Sequence, residues 1–305
     1  FKTHEDLNMN CNVLVDNFYL DTHNYFPITQ EYYTFSEIFS WGDALKYHNF
    51  YSENFAINFE KNLNNFKSLS DIYLLGTSSV DNYYRNLITF LPRIFFIKEK
   101  LKVAIHRNSS NRMRDFIIFL ANKMKIKIQF VFLDDGFYNF SNSQMPQFLS
   151  KNNSINILNS LKINLPSKKE KIYITRHNTS CRNLINESDI IERLKNQNFK
   201  IVDLNNMNII DQIKLFSNSE IVVSCSGSGL ANIVFCNIGT KIYEISPKYQ
   251  FDYEIDFKNR YSYISQVLGL HYERIEADSI EIDKPEKNIK NYIAPKILQE
   301  SNYYK

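Results

Sequence analysis

The chain has 305 residues, of which 44% are hydrophobic and 15% aromatic, with only seven glycines and seven prolines. This composition excludes a low-complexity or linker-rich protein and provides enough apolar material for the cores of two ordinary domains. The net charge of +3 gives no support for a nucleic-acid partner. No apolar run reaches about eighteen residues, so the sequence predicts no membrane span.

The four cysteines, at positions 11, 181, 225 and 236, form no Cys-x-x-Cys pair and lie mostly in apolar runs. This usage is typical of reduced thiols in the interior of a cytoplasmic protein. We therefore expect a cytoplasmic location and leave open a peripheral association with the inner face of the membrane. The sequence gives no indication of the oligomeric state.

Residues 1–165 are predicted to form an N-terminal domain of Rossmann type, although the periodicity is weak before residue 71. A strand is expected within residues 12–20. Further along, strands and helices alternate, which is typical of a parallel sheet covered by helices. The predicted strands are 72–75, 101–105 and 126–133, and the predicted helices are 84–95, which Pro92 should kink or end, and 110–124.

A polar segment over residues 139–170 separates the two halves, and we place the domain boundary near Pro166. Residues 166–284 are predicted to form a second Rossmann-like domain. Its predicted strands are 171–175, 200–204, 221–225, 241–245 and 271–275, and its predicted helices are 186–196, 208–217, 230–237 and 260–268. A final helix over residues 285–305 could pack back on the first domain.

The most informative local pattern is residues 221–247, IVVSCSGSGLANIVFCNIGTKIYEISP. An apolar strand leads into the turn 226–229 (SGSG), a short helix follows, and a second strand carries Glu244 near its end. Glycines allow backbone amides to approach a ligand, and a helix N-terminus attracts an anion such as phosphate. The turn is neither GxGxxG nor a Walker motif, so alone it favours phosphate binding and simple close packing equally.

A longer block, residues 173–247, combines this turn with other recognisable features. The residues that carry the pattern are Thr175-Arg176, Arg182, Asn186-Glu187, 212–216 (QIKLF), Gly227, Gly229, Leu230, Asn232, Glu244 and Pro247. Their order and spacing resemble glycosyltransferase family 61, in which a strand ends in Ser-Arg and a His-Gly-Ala-Gly-Leu-x-Asn turn follows. Upstream, 82–85 (NYYR) and 91–93 (LPR) resemble the family's Asn-Tyr-Tyr-His and Leu-Pro-Arg-Leu segment.

The resemblance implies an α/β chain of GT-B type, with two Rossmann-like domains facing across a cleft. It implies that residues 1–165 form the acceptor-side domain and residues 166–284 the domain that binds the nucleotide sugar. It also implies inversion at the anomeric carbon, a nucleotide-sugar donor and no required metal or other cofactor. We expect a UDP-linked donor and a saccharide acceptor, because family members transfer xylose or N-acetylglucosamine and many act in capsule or lipopolysaccharide synthesis. The chain departs from the family at two histidine positions, which hold Ser226 and Arg85, and at an Asp position that holds Thr89.

Inverting transfer needs positive charge to stabilise the leaving diphosphate. Arginine forks suit phosphate oxygens, the turn would add backbone amides, and a carboxylate could accept hydrogen bonds from both ribose hydroxyls. The candidate donor-binding residues are Arg176, Arg182, Ser226, Gly227, Ser228, Gly229, Leu230, Asn232 and Glu244. The structural alternatives are a surface salt bridge for the arginines, tight packing for the turn and an ordinary strand position for the carboxylate.

The reaction also needs a base that deprotonates the acceptor hydroxyl, and we expect it from the first domain. Asp81 and Asp135 are the leading candidates, although the first could simply cap a helix and the second could be a turn residue. Arg85 occupies a position that the resemblance marks as catalytic or donor-orienting. His106 ranks lower, because a lone histidine is more often structural. No metal site is expected, since an Asp-x-Asp motif is absent and a cation at Asp134-Asp135 is the less favoured interpretation.

The sequence therefore predicts an inverting, metal-independent glycosyltransferase that acts in surface polysaccharide or glycan synthesis. Two alternatives remain open. One is a catalytically inactive scaffold that binds a sugar or a nucleotide. The other is a Rossmann enzyme that modifies a nucleotide sugar or uses a dinucleotide.

Overall fold

The computed structural model describes residues 17–22, 26–30, 59–75, 82–97, 101–146, 149–163, 169–177, 183–247, 255–282 and 289–293. The chain divides into two compact units, Phe1–Ser154 and Ile155–Lys305. Both combine helices with sheets that contain parallel strands, so the predicted α/β class is confirmed. Of the helices described, none is both long enough and apolar enough to cross a membrane.

The first unit contains two sheets. Its strands are β1 (Asn17–Asp21), β2 (Phe26–Thr29), β3 (Lys67–Ser70), β4 (Ile72–Leu74), β5 (Leu101–His106), β6 (Ile128–Leu133) and β7 (Phe137–Ser141). One sheet has the order β2-β1-β7-β3, with β1 antiparallel to both neighbours and β3 parallel to β7. The other, β4-β5-β6, is wholly parallel, as the alternation of strands and helices predicted.

A single apolar core joins these two sheets. Phe18 of β1 stacks on Phe140 of β7 with ring centroids 4.8 Å apart. The same buried cluster includes Leu74 of β4, Ala104 of β5 and Leu133 of β6. Because β6 and β7 belong to different sheets, the short loop between them crosses from one sheet to the other at the carboxyl end of β6.

Two helical segments accompany the parallel sheet. The first begins as an α-helix at Tyr83–Arg85, continues as a π-helix over Asn86–Phe90 and ends as a 3-10 helix over Leu91–Phe96. Regular α-helix does not continue through Pro92, as expected for a residue that has no amide hydrogen. The second segment, Asn111–Lys123, is capped by the Ser110 hydroxyl, which accepts a hydrogen bond from the Met113 amide.

Arg93 is a buried polar anchor of the first segment. Its side chain is fully buried, and its guanidinium donates to the carbonyl of Leu75 over 2.8 Å and to that of Pro146 over 2.7 and 3.2 Å. The Tyr73 hydroxyl donates in turn to the Arg93 carbonyl over 3.1 Å. These bonds tie the helical segment to the end of β4 and to the chain that follows β7.

The second unit is built on one six-stranded sheet. Its strands are β8 (Glu170–Ile174), β9 (Phe199–Val202), β10 (Ser219–Cys225), β11 (Lys241–Pro247), β12 (His271–Ile282) and β13 (Ile289–Ile293). The order is β13-β12-β11-β10-β8-β9, and every pair is parallel except β12 with β13. The predicted helix over residues 285–305 is therefore wrong at Ile289–Ile293, which pair as a strand with the edge of the sheet.

The helices described in this unit include Glu187–Asn196, Ile209–Ser217, Ile255–Leu268 and the 3-10 helices Leu204–Asn206 and Ser228–Phe235. The strands β10 and β11 are buried on both faces, which is typical of a parallel sheet covered on both sides. A further helix, Lys151–Asn159, lies across the division between the units. Asn159 at its end donates to the carbonyls of Val234 and Cys236.

Candidate functional site

Hydrogen bonds fix the turn that follows β10. The Ser226 amide donates to the Ile245 carbonyl over 2.7 Å, and the Leu230 amide donates to the Gly227 carbonyl over 3.0 Å. The Tyr261 hydroxyl donates to the same Gly227 carbonyl over 2.5 Å. The turn is therefore a fixed feature at the carboxyl end of a parallel strand, where open α/β sheets bind their ligands.

The side chain of Arg176 lies directly over Gly227. A Cβ atom added to this glycine would be 2.8 Å from Arg176 Cζ and closer still to Nη1. The Gly227 backbone is extended, with φ −176°, so glycine here leaves room for the guanidinium and is not needed for an unusual backbone conformation. The structure thus brings together two residues that the sequence predicted for phosphate binding.

Three successive backbone amides lie at this turn, at the buried Gly227 and the partly exposed Ser228 and Gly229. Among the described parts of the chain, the backbone N–H groups of Gly227, Ser228 and Gly229 have no hydrogen-bond partner. They lie at the start of Ser228–Phe235, where the first amides of a helix have no acceptor within the helix. Together with the guanidinium of Arg176 they create a positively polarised surface that suits an anion.

Leu230 and Asn232 lie beneath the turn, and their side chains are 1% and 0% exposed. Asn232 Nδ2 donates to the Gly229 carbonyl over 3.0 Å and to Gln212 Oε1 over 3.2 Å. Gln212 Nε2 donates in turn to two main-chain carbonyls just before its own helix. The side chains of Leu230 and Asn232 therefore support the turn from inside the protein.

Glu244 is a buried carboxylate in β11, only 1% exposed. Its Oε2 accepts a hydrogen bond from the Tyr272 hydroxyl over 2.5 Å, whereas its Oε1 has no hydrogen-bond partner in the described regions. Burial raises the pKa of Glu244, although Tyr272, Ser226, Arg274 and Arg260 all favour its ionised form. The carboxylate thus keeps one acceptor oxygen beside the first residue of the glycine turn.

Replacing Glu244 with Gln is expected to remove one component of the pH dependence of stability. Because burial raises the folded-state pKa above the ordinary value of 4.5, the folded protein binds this proton more tightly than the unfolded chain does. The contribution to wild-type stability is therefore most favourable at low pH and falls as the pH rises from 4.5 through the folded-state pKa.

Urea unfolding followed by circular dichroism between about pH 4 and pH 8 would measure this difference. Glu192→Gln, which alters an exposed carboxylate of the helix Glu187–Asn196, is the control. Parallel stability profiles for the wild type and the Glu244→Gln variant would contradict the expectation.

In the first unit, His106 forms a hydrogen bond with the carboxylate of Asp135. His106 ends β5 and is 3% exposed, and its Nε2 lies 2.9 Å from Asp135 Oδ1. Its Nδ1 accepts a hydrogen bond from the Asn108 amide over 3.1 Å. An amide can only donate, so the hydrogen of the neutral ring is on Nε2 and is donated to Asp135. The Asp135 side chain is 52% exposed, which makes it an oriented carboxylate open to solvent.

The neighbouring Asp134 is engaged differently. Both of its carboxylate oxygens accept hydrogen bonds from Arg107, which lowers the pKa of Asp134 below its usual range. The loop itself is tied to β1, since the Thr22 hydroxyl donates to the Asp134 carbonyl and the Thr22 amide donates to the Gly136 carbonyl. Within the described residues, no group of three or more His, Cys, Asp or Glu side chains is arranged to hold a metal ion.

The remaining predicted residues are placed as follows. Arg85 is half-buried in the short helix Tyr83–Arg85, where the Asn82 side chain accepts a hydrogen bond from its amide over 3.0 Å. Asp81 and Arg182 lie outside the described residues.

Sequence reasoning gave no role to Tyr272 or Tyr261, which contact Glu244 and Gly227. The sequence motif includes Glu187 but assigns it no function. Tyr272 is two positions from Arg274, which pairs with Glu244 in the register of β11 and β12. The register between β11 and β12 places Tyr272 near Glu244, but a single sequence does not give that register.

The family model for Glycosyltransferase 61 matches residues 83–243, which is more than half of the 305-residue chain. The matched region includes the helical segment that contains Arg93, the loop that carries Asp135 and the glycine turn after β10. No curated protein matches the chain. The chain therefore belongs to the glycosyltransferase 61 family, whose reaction requires a sugar donor and an acceptor.

Proposed function

We propose that the protein is an inverting, metal-independent glycosyltransferase that takes a sugar from a UDP-linked donor and transfers it to a saccharide acceptor. The observation that carries this proposal is the guanidinium of Arg176 lying over Gly227, beside three backbone amides with no partner in the described chain. Surface polysaccharide or glycan synthesis is the proposed pathway, and a GT-B arrangement and a cytoplasmic location, peripheral to the membrane, belong to the same proposal.

The anion at this turn would be the diphosphate of the donor. When the bond between the sugar and the diphosphate breaks, negative charge increases on the phosphate oxygens and must be stabilised. Arg176 can form paired hydrogen bonds to such oxygens, and the amides of Gly227, Ser228 and Gly229 add fixed dipoles. Arg182 is proposed as a second phosphate ligand on the basis of its position in the sequence motif.

Glu244 is proposed to bind the ribose of the nucleotide. Its Oε1 is an acceptor without a partner in the described regions, and its Oε2 is already oriented by Tyr272. A buried carboxylate oxygen without a donor is costly, and a ribose hydroxyl would satisfy it. Ser226 lies beside the same carboxylate and begins the glycine turn, so one ligand could contact both features.

Asp135 is proposed as the base that accepts the proton of the acceptor hydroxyl. His106 donates to its Oδ1, which leaves Oδ2 to receive the proton, and the loop is fixed by Thr22. Asp134 is less suitable, because Arg107 occupies both of its oxygens and favours its ionised form. Arg85 and Asp81 remain proposed contributors from the family positions that they occupy.

Arg176→Ala is expected to weaken the binding of UDP by about 10- to 100-fold, since it removes charge-assisted hydrogen bonds to the diphosphate. Stability should change little, because this side chain is only partly buried. Calorimetric titration with UDP, with CMP and NAD for comparison, would measure the effect. Arg193→Ala, on the exposed face of a nearby helix, is the matched control. Unchanged UDP affinity in the Arg176 variant would rule out its phosphate role.

A catalytically inactive nucleotide-binding protein is the second candidate function. It is favoured by Ser226 and Arg85, which stand where the family motifs have histidine. The two functions differ in one observable: both bind a nucleotide, but only the transferase releases UDP from a nucleotide sugar. Release of UDP from a panel of UDP-sugars by the wild-type chain would exclude the inactive protein.

A further inference from the structure

The carboxylate of Glu187 collects hydrogen bonds from three donors on a single oxygen. Its Oε1 accepts from the Tyr173 hydroxyl over 2.8 Å, from the Thr175 hydroxyl over 3.0 Å and from the Arg176 amide over 3.1 Å. Glu187 is 4% exposed and begins the helix Glu187–Asn196. The N-terminus of a helix stabilises a negative charge, so the carboxylate is well placed to remain an acceptor.

The three donors belong to the end of β8 and the turn that follows it. Tyr173 lies in β8, and Thr175 and Arg176 come directly after the strand. The Thr175 hydroxyl also accepts a hydrogen bond from the His177 amide over 3.2 Å, so the chain on both sides of Arg176 is held. One buried carboxylate therefore sets the backbone position from which the Arg176 side chain extends.

That backbone position decides where the guanidinium lies. Arg176 passes over Gly227 so closely that a Cβ atom there would be 2.8 Å from Cζ. Ordering a long arginine side chain costs conformational entropy, and a fixed backbone at Arg176 lowers the cost of keeping the guanidinium in this position. The hydrogen bonds from Thr175 and from the Arg176 amide to Glu187 provide this backbone restraint.

We propose that Glu187 is a positioning residue of the donor site, which orients Arg176 toward the diphosphate without contacting the ligand. This role rests on the proposed function of Arg176. Direct catalysis by Glu187 does not fit the geometry, because the side chain is 4% exposed and its Oε1 is occupied by three donors. If Glu187 acted only as a negative charge at the start of its helix, its hydrogen-bond donors would not have to come from the segment that carries Arg176.

The test is a double-mutant cycle in the full chain, with UDP affinity measured by calorimetry and folding checked by circular dichroism. Glu187→Ala is expected to weaken UDP binding by about 10-fold, because the arginine loses its fixed position. The double variant Glu187→Ala with Arg176→Ala should bind UDP no more weakly than Arg176→Ala alone, since both changes act on one interaction. Glu187→Gln, which keeps an acceptor oxygen, should remain within about threefold of the wild type.

Several outcomes would overturn the proposal. Wild-type affinity in Glu187→Ala, or losses that add in the double variant, would show that Glu187 does not act through Arg176. A wild-type chain that binds none of UDP, GDP and CMP would instead overturn the proposed function itself. If Glu187→Ala does not fold, Thr175→Val removes one donor and should weaken UDP binding by about threefold in a folded protein. Unchanged binding in that variant would contradict the role, and Glu192→Ala on the same helix is the control.

Discussion

Asp135→Asn is expected to lower kcat for sugar transfer by about 100- to 10,000-fold, because an amide cannot accept the proton of the acceptor hydroxyl. Asn has nearly the same size, and its side-chain oxygen can still accept the hydrogen bond from His106 Nε2. The fold and the binding of UDP should therefore be unchanged. The measurement is the initial rate of UDP release, with the nucleotide sugar that the wild-type chain turns over and its saccharide acceptor.

Asp134→Asn is the matched control for this experiment. Asp134 precedes Asp135 in the same loop and is 49% exposed, but Arg107 occupies its carboxylate. Its replacement should therefore leave kcat within about threefold of the wild type. If Asp135→Asn retains full activity, the base is another residue, and Asp81 becomes the next to replace.

Arg93→Met is expected to lower the free energy of unfolding by about 2–4 kcal/mol, since it leaves the carbonyls of Leu75 and Pro146 without their donor. Methionine has a similar length and keeps most of the packing volume, so the loss reports on the hydrogen bonds more than on a cavity. Urea unfolding followed by circular dichroism measures the change.

Arg193→Met, on an exposed helix surface, should change stability by no more than about 0.5 kcal/mol. The comparison is informative because Arg93 lies in a motif shared with a transferase family and could be mistaken for a catalytic cation. An Arg93→Met variant with wild-type stability and reduced UDP binding would contradict the structural role.

The second unit was largely predictable from its sequence, because its central strands β10 and β11 are buried on both faces. Such strands appear as continuous apolar runs, and the segments 221–225 and 241–245 lie within β10 and β11. The turn between them was marked by its glycines. The structure places the Arg176 side chain over Gly227, and a shared role of the two residues in one site stays a prediction.

The first unit was harder to predict, because several of its elements depend on distant partners. The strand β7 (FYNFS) alternates apolar and polar residues and pairs with β1, which lies more than a hundred positions earlier. The exposed strand β3 (KSLS) has almost no apolar signal of its own and is defined by its pairing with β7. Tertiary pairing of this kind overrides local propensity.

The same reason explains the error at the C-terminal end. The segment Ile289–Ile293 has a spacing of apolar residues that also suits a helix, but its backbone pairs antiparallel with β12. Contacts between neighbouring strands cannot be read from a single sequence either. The hydrogen bond from Tyr272 to Glu244 was therefore not predicted. The roles of Glu187 and His106 depend on hydrogen bonds between segments that are separate in sequence.

The amide pair Gln212 and Asn232 has a consequence for how this turn can evolve. Gln212 Oε1 accepts a hydrogen bond from Asn232 Nδ2. Gln212 Nε2 donates to two main-chain carbonyls of the loop before the helix that contains Gln212. A substitution at either position removes a hydrogen bond from the buried side chain of the other, which makes single changes costly. We therefore expect positions 212 and 232 to change together in related sequences, as the loop that they support changes.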